Sequence, residues 1–123
     1  MSIHDELQAV MTKMAAVYQV GDAAGCAALF TENAEVHSPY APPAVGRRAI
    51  EELHREWTKE IIGEKSITVL QAAGTSDAAW CLAKYSEGTD VGNGTSLNVF
   101  ERQPDGSWLI RMCSLNSTDT ATT

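Results

Sequence analysis

The sequence predicts an α+β domain in which helices from the first half cover one face of a curved antiparallel sheet. Three observations lead there. Apolar residues recur at helical spacing over residues 3–20 and again from Arg47 to Ile62. Three apolar-rich runs close the chain, DAAWCLAKYSEG, TSLNVFER and WLIRMCSLN, divided by VGNG and QPDGS. Asn-Gly and Pro-Asp-Gly supply the φ values that tight turns need, so the three runs read as a meander. Helices first and strands afterwards is the order of an α+β fold.

The first helix places Ile3, Leu7, Val10, Met11, Met14, Val17 and Tyr18 on one face and ends at Gly21. Asp22 can cap a second, short helix running through Phe30, with Cys26, Leu29 and Phe30 as its buried side. Thr31-Glu32-Asn33 reads as a turn before a short strand, AEVHS, that stops at Pro39. Three prolines in PYAPPAVG exclude helix from Pro39 to Gly46 and leave a stiff loop, long enough to rim a pocket. The third helix carries Ile50, Leu53, His54, Trp57, Ile61 and Ile62 on one face and stops at Gly63. SITVLQAAG follows as a strand with Ile67 and Val69 as its apolar alternates, and STDTATT should fray.

Both faces of the meander are apolar: Trp80 and Leu82 alternate with Ala79, Cys81 and Ala83, and Leu97 and Val99 with Phe100. Helices cover one face only. The other is expected to meet a second copy of the chain across a two-fold axis, giving a homodimer.

At 123 residues the chain reads as a single domain able to bury a core without staples. A formal charge of −7 argues against a nucleic-acid surface, which needs clustered Lys and Arg, and against anionic membranes. Cys26, Cys81 and Cys113 cannot all pair and lie in apolar contexts, as buried free thiols of a reducing compartment do. The polar, acidic start MSIHDELQ has no signal-peptide character, and no run approaches the ~20 apolar residues of a membrane span. A cytoplasmic location is expected. His4, His37 and His54 are scattered, and no glycine-rich phosphate loop occurs, so neither metal nor nucleotide nor other cofactor is indicated.

Four stretches together resemble a known group: the helix ending in Gly21-Asp22; Ala28 to Val36 (ALFTENAEV); Gly46-Arg47-Arg48-Ala49-Ile50; and Asp105-Gly106-Ser107-Trp108. They are similar to the SnoaL-like proteins of the ketosteroid isomerase-like and nuclear-transport-factor-two-like superfamily. The resemblance runs from about residue 5 to Asn116. It implies a cystatin-like cone, a bent sheet wrapped around a helix-lined pocket on its concave side. It does not imply one reaction, because that superfamily hosts isomerases, cyclases, dehydratases, hydrolases and binding domains.

Compared with ketosteroid isomerases, the place of the general base falls on Ser38, that of the oxyanion tyrosine on Met14 and that of the second oxyanion donor on Asn98. Two of three groups are absent and the third is an amide. A lone serine hydroxyl is no base near neutral pH, so steroid isomerisation by that route is not expected.

The same comparison, combined with strand alternation, directs Val36, Ser38, Trp80, Leu82, Lys84, Ser86, Ser96, Asn98, Phe100, Arg111 and Cys113 inward. Met14, Tyr18, Leu53, His54 and Trp57 would join them from the helices. Asn98 is a candidate hydrogen-bond donor to a ligand carbonyl, and His54 or Tyr18 a candidate proton carrier. Met14, Ser38, Trp57, Trp80, Phe100 and Cys113 would line the ligand. Lys84 and Arg111 would be inward cations able to take a small carboxylate, or else paired with Glu52, Glu56, Glu60 or Glu87. Tyr40 either closes the pocket mouth or is a surface tyrosine. Two functions stand: an acid–base enzyme on a small, partly apolar molecule, and a non-catalytic dimeric domain that binds one.

Overall fold

A computed structural model describes residues 2–61, 63–89 and 91–119. The elements run α1 (Ile3–Gln19), α2 (Ala23–Ala27), β1 (Phe30–His37), β2 (Ala44–Val45), α3 (Arg47–Trp57), β3 (Ser66–Gly74), β4 (Ala78–Ser86), β5 (Gly94–Arg102) and β6 (Trp108–Ser117). The strands form one sheet in the order β2-β1-β6-β5-β4-β3. Helices lie against it through Leu7, Met11, Met14 and Tyr18 of α1 and Ile50 and His54 of α3.

Ser2 caps α1 by accepting from the Asp5 amide at 3.1 Å, and Asp22 caps α2 through Gly25 at 2.9 Å. The α1 helix also protects the sheet edge at β3. Its Gln8 side chain donates to the Ile67 carbonyl (2.9 Å) and accepts from the Val69 amide (2.8 Å), as a neighbouring strand would. The register slips between Val69 and Gln71, and Leu70 at the slip is half exposed.

Several boundaries differ from expectation. The α2 helix ends at Ala27, not Phe30, because Phe30 opens β1 and pairs with Ile110. Thr31 to Asn33 is not a turn between elements but an irregularity inside β1. The register jumps from Phe30↔Ile110 to Glu35↔Met112, so the excess residues loop within the strand. The α3 helix stops at Trp57, where the Thr58 amide and hydroxyl both take the His54 carbonyl (2.9 and 2.7 Å). The expected continuation to Ile62 ends on a position outside the described residues.

The proline loop holds one short strand, β2, paired with Glu35 and Val36. The sheet is mixed and not wholly antiparallel, since β6 returns beside β1 in the same direction. The meander from the far edge fixes the sense of β6, and β1 was laid down before the α3 crossover. The tail is ordered further than expected: Asp119 accepts from the amides of Gly92 (2.9 Å) and Asn93 (3.1 Å). Residues 120–123, where fraying was expected, lie outside the described residues.

Strand parity decides what reaches the concave side. On β5 it is Ser96, Asn98 and Phe100, all buried, in the expected parity. On β4 the expectation is overturned. Ala79, Cys81, Ala83 and Tyr85 face the core, while Trp80 is 39% exposed and Lys84 is exposed. Small side chains sit under the helices and the bulky ones face away. On β6 a bulge intervenes: Phe100 pairs with Ile110 but Val99 with Met112, leaving Arg111 as the extra residue. Ile110 and Cys113 are therefore both buried, and Arg111 is not on their face.

Candidate functional site

Between α1, α3 and the concave side of the sheet lies a cavity of about 290 Å³. Met11, Met14, Phe30, Val36, Ile67 and Ile110 give it an apolar wall, and Tyr18, Tyr40, His54, Lys65, Tyr85, Glu87, Ser96 and Asn98 supply the polar groups. An apolar hollow with a few convergent polar groups is the usual form of a small-molecule site. Asn98 and Ser96 are deeply buried, whereas Tyr40 is 45% exposed, which puts the mouth at the proline loop.

His54 faces the cavity from α3, one helical turn after Ile50. Its Nδ1 lies 2.8 Å from the Ile50 carbonyl. A carbonyl oxygen only accepts, so Nδ1 carries the proton and Nε2 keeps a lone pair. Tyr18, Phe30 and Trp57 surround the ring at centroid distances of 6.4, 5.9 and 5.3 Å. Burial in this aromatic nest pushes the imidazole below its ordinary pKa, the Ile50 contact opposes that, and the charge of Lys65 adds to it. The ring is neutral at neutral pH.

Asn98 donates from Nδ2 to the Ser96 hydroxyl at 3.0 Å, and its Oδ1 is buried with no hydrogen-bond partner among the described residues. Exchanging the amide's oxygen and nitrogen would let Ser96 donate instead, but it would leave the NH2 group at the unpaired position. Either way one end of a buried amide awaits a partner.

Tyr18 donates to Glu87 Oε1 at 3.1 Å, with a longer contact to the Trp57 carbonyl at 3.4 Å. Burial, then the Glu87 charge, hold this phenol well above its ordinary pKa, so it is a proton donor and not a phenolate. Lys65, just ahead of β3, enters the same corner with its Nζ 4.3 Å from the Tyr18 ring centroid and 5.0 Å from that of Tyr85. Glu87 Oε1 is 3.8 Å from Nζ, close enough for charge pairing but too far for a hydrogen bond. The thiols of Cys26 and Cys113 are pushed up to about 12 and that of Cys81 to about 11, each mainly by burial, so none is a ready nucleophile.

Of the residues singled out by sequence, Met14, Tyr18, His54, Trp57, Asn98 and Cys113 line the cavity. Phe100 is fully buried on the concave face but is not part of the lining. Trp80 and Lys84 turn to the opposite face because of the β4 parity. Arg111 sits at the bulge, 4.0 Å from Glu35, which also meets His37 at 3.0 Å; none of the four glutamates weighed for it is its partner. Ser38 borders a separate shallow cleft with His37, Pro39 and residues 114–117. The two cations expected to receive a carboxylate are thus absent from the cavity.

Sequence reasoning passed over Lys65 and Tyr85 and weighed Glu87 only as a partner for Lys84 or Arg111. Alternation held the signal for all three. Lys65 shares parity with the buried Ile67 and Val69, and Tyr85 and Glu87 share parity with Ala79, Cys81 and Ala83.

Among the described residues no group of three or more His, Cys, Asp or Glu is placed to hold a metal ion. No helix there is long and apolar enough to cross a membrane.

The fold is the cystatin-like, nuclear-transport-factor-two-like fold, as comparison with solved structures shows. A domain of unknown function with a cystatin-like fold from Nostoc punctiforme superposes with a TM-score of 0.78 at 20% identity, covering 98% of this chain and 78% of that one. A ketosteroid isomerase-like protein from Erwinia carotovora atroseptica gives a TM-score of 0.78 at 13% identity, covering 95% and 97%. A protein from Catenulispora acidiphila in complex with S-DNPA gives 0.72 at 20% identity, covering 92% and 91%. No protein-family model matches the chain, and no curated protein matches it by sequence.

Proposed function

We propose that the cavity takes a small, largely apolar, uncharged carbonyl compound, and that His54 moves a proton on it in an isomerase-, cyclase- or hydrolase-type reaction. The observation that carries this reading is the His54 tautomer: a neutral ring, held by Ile50, with a free Nε2 lone pair in a cavity-lining side chain. Asn98, with one end of its amide unpaired, would hydrogen-bond the substrate's oxygen. Tyr18 would return the proton, with Glu87 accepting from it at 3.1 Å. A neutral substrate fits because the wall is largely apolar and the Lys84 and Arg111 side chains lie outside the cavity.

A second reading is a non-catalytic binding domain. Ser38, where the resemblance sets the isomerase base, lies outside the cavity, while the unpaired Asn98 amide would serve binding alone. In both readings the exposed apolar face bearing Trp80, Leu97 and Val99 joins two copies of the chain into a homodimer.

Screening small aryl and alicyclic ketones by quenching of tryptophan emission, followed by solvent-deuterium incorporation into each binder, tests the reading. Exchange α to the carbonyl that is lost in His54→Gln supports the enzyme. Binding without exchange in any hit leaves the binding domain, and no binder at all sinks both.

A further inference from the structure

Lys65 is placed with care. Its backbone N–H donates to the side-chain oxygen of Gln19, whose Nε2 donates to the Gly63 carbonyl at 3.0 Å, so the end of α1 clamps the approach to β3. Gly63 is itself pressed onto the chain at Glu87: a Cβ there would stand 1.8 Å from the Glu87 carbonyl oxygen, so no larger residue fits without the backbone moving. The clamp aims the Lys65 side chain, only 11% exposed, into the apolar cavity. No hydrogen bond joins its Nζ to another described residue. Two aromatic faces and one carboxylate at 3.8 Å are its company.

The two aromatic faces and the carboxylate favour an ammonium, but its three donors meet no hydrogen-bond acceptor among the described residues, and enclosure in an apolar cavity weighs against the charge. Burial accordingly lowers the amine's pKa from the ordinary lysine value, with the Glu87 charge opposing. The titratable groups around it are Glu87, Tyr18 and Tyr85, with His54, Cys26 and Cys113 farther away.

We propose that Lys65 forms a reversible imine with an aldehyde or ketone that enters the cavity. The Nζ lone pair attacks the carbonyl carbon, forming the C–N bond while the C=O π pair moves to oxygen. That oxygen takes one proton from Tyr18, which recovers it from the nitrogen by way of Glu87. Tyr18 then protonates the carbinolamine hydroxyl, water leaves as the nitrogen lone pair closes the C=N bond, and the remaining N–H proton returns to Tyr18 by way of Glu87 to give the imine. Amine and carbonyl give imine and one water, with no oxidant or reductant consumed. The inference rests on the carbonyl ligand proposed above but not on His54.

The test is reductive trapping of the whole protein with benzaldehyde and cyanoborohydride, which delivers hydride to the imine carbon and fixes a benzyl group on nitrogen. Lys13, Lys59 and Lys84 are exposed and serve as internal controls. Peptide mapping should show Lys65 labelled faster than these near pH 7, since a lowered pKa enlarges the free-amine fraction.

Labelling of Lys65 no faster than of the exposed lysines overturns the proposal. So does benzoate binding that Lys65→Met abolishes without any trapping, since the amine would then be a charge partner. If ketones quench tryptophan emission saturably and Lys65 stays unlabelled, only this inference fails; if nothing binds, the functional reading fails with it.

Discussion

The hydroxyls of Tyr40 and Tyr85 lie 2.7 Å apart and tie the proline loop to the concave sheet. Tyr85 also donates to the Asn116 carbonyl at 3.3 Å, so the shared proton in the tyrosine pair comes from Tyr40. The Tyr40 ring meets Trp57 edge-on at 6.2 Å, which closes the mouth from the α3 side. Tyr40→Phe keeps the ring contact and loses the hydrogen bond, worth about 1 kcal/mol or about fivefold. Ligand release measured by stopped-flow fluorescence should therefore quicken several-fold with little change in thermal midpoint. An unchanged release rate would show that the loop is no gate.

Asn98 sets stability against binding. A buried acceptor without a partner costs about 1–3 kcal/mol, and Asn98→Leu removes it at similar volume while taking one donor from Ser96. The variant should unfold at the same temperature or higher and bind ketone ligands at least about tenfold more weakly, about 1.4 kcal/mol. Calorimetric unfolding and titration on one sample check both. Weaker stability together with intact affinity would make Asn98 a purely structural residue.

How far the chain could be read beforehand follows from where local chemistry was decisive. Pro104-Asp105-Gly106 set the last turn, with Gly106 at φ 88°, and β3 runs from Ser66 to Gly74 as alternation and Gly74 indicate. The Asn-Gly signal fell one step late, since Gly88 and Gly92 carry the positive φ and Gly94 already opens β5. Parity on β4 was not legible because both faces are apolar. The comparison with ketosteroid isomerases directed Trp80 inward, yet the concave side under α1 takes Ala79, Cys81 and Ala83. Arg111 was misplaced because a bulge is a property of two paired strands, here Val99–Phe100 against Ile110–Met112. Lys65 escaped notice inside the polar run GEKS, where a cation reads as surface until the Gln19 clamp is seen.

The outward β4–β5 face makes a prediction of its own. Trp80 pairs across the strands with Val99, and Leu82 with Leu97. Trp80, Leu97 and Val99 are 39%, 45% and 36% exposed. Leu97→Arg puts a charge at the centre of this patch without touching the core. Sedimentation should show a wild-type dimer and a variant whose dissociation constant is raised about 100-fold or more, with unfolding stability of the monomer changed by at most about 0.5 kcal/mol. A wild-type chain that stays monomeric at every concentration measured would refute the pairing.

His54 gives the sharpest pH signature. Its pKa in the folded chain lies below the ordinary 6.5, so between those two values the unfolded chain binds more protons than the folded one. Stability is then whole above pH 6.5 and declines as pH falls through that window, by up to about 1.4 kcal/mol for each unit of depression. His54→Gln removes this component, and subtracting its urea midpoints from those of the wild type cancels what the carboxylates contribute. The difference should be flat above pH 6.5 and slope downward below it. Deuterium exchange into a bound ketone should carry the same group's acid limb, failing at a pH below 6.5, and should fall about 100-fold to 10,000-fold in the variant. An acid limb above pH 7 that survives in His54→Gln would move the base to another residue and return His54 to a packing role beside Trp57.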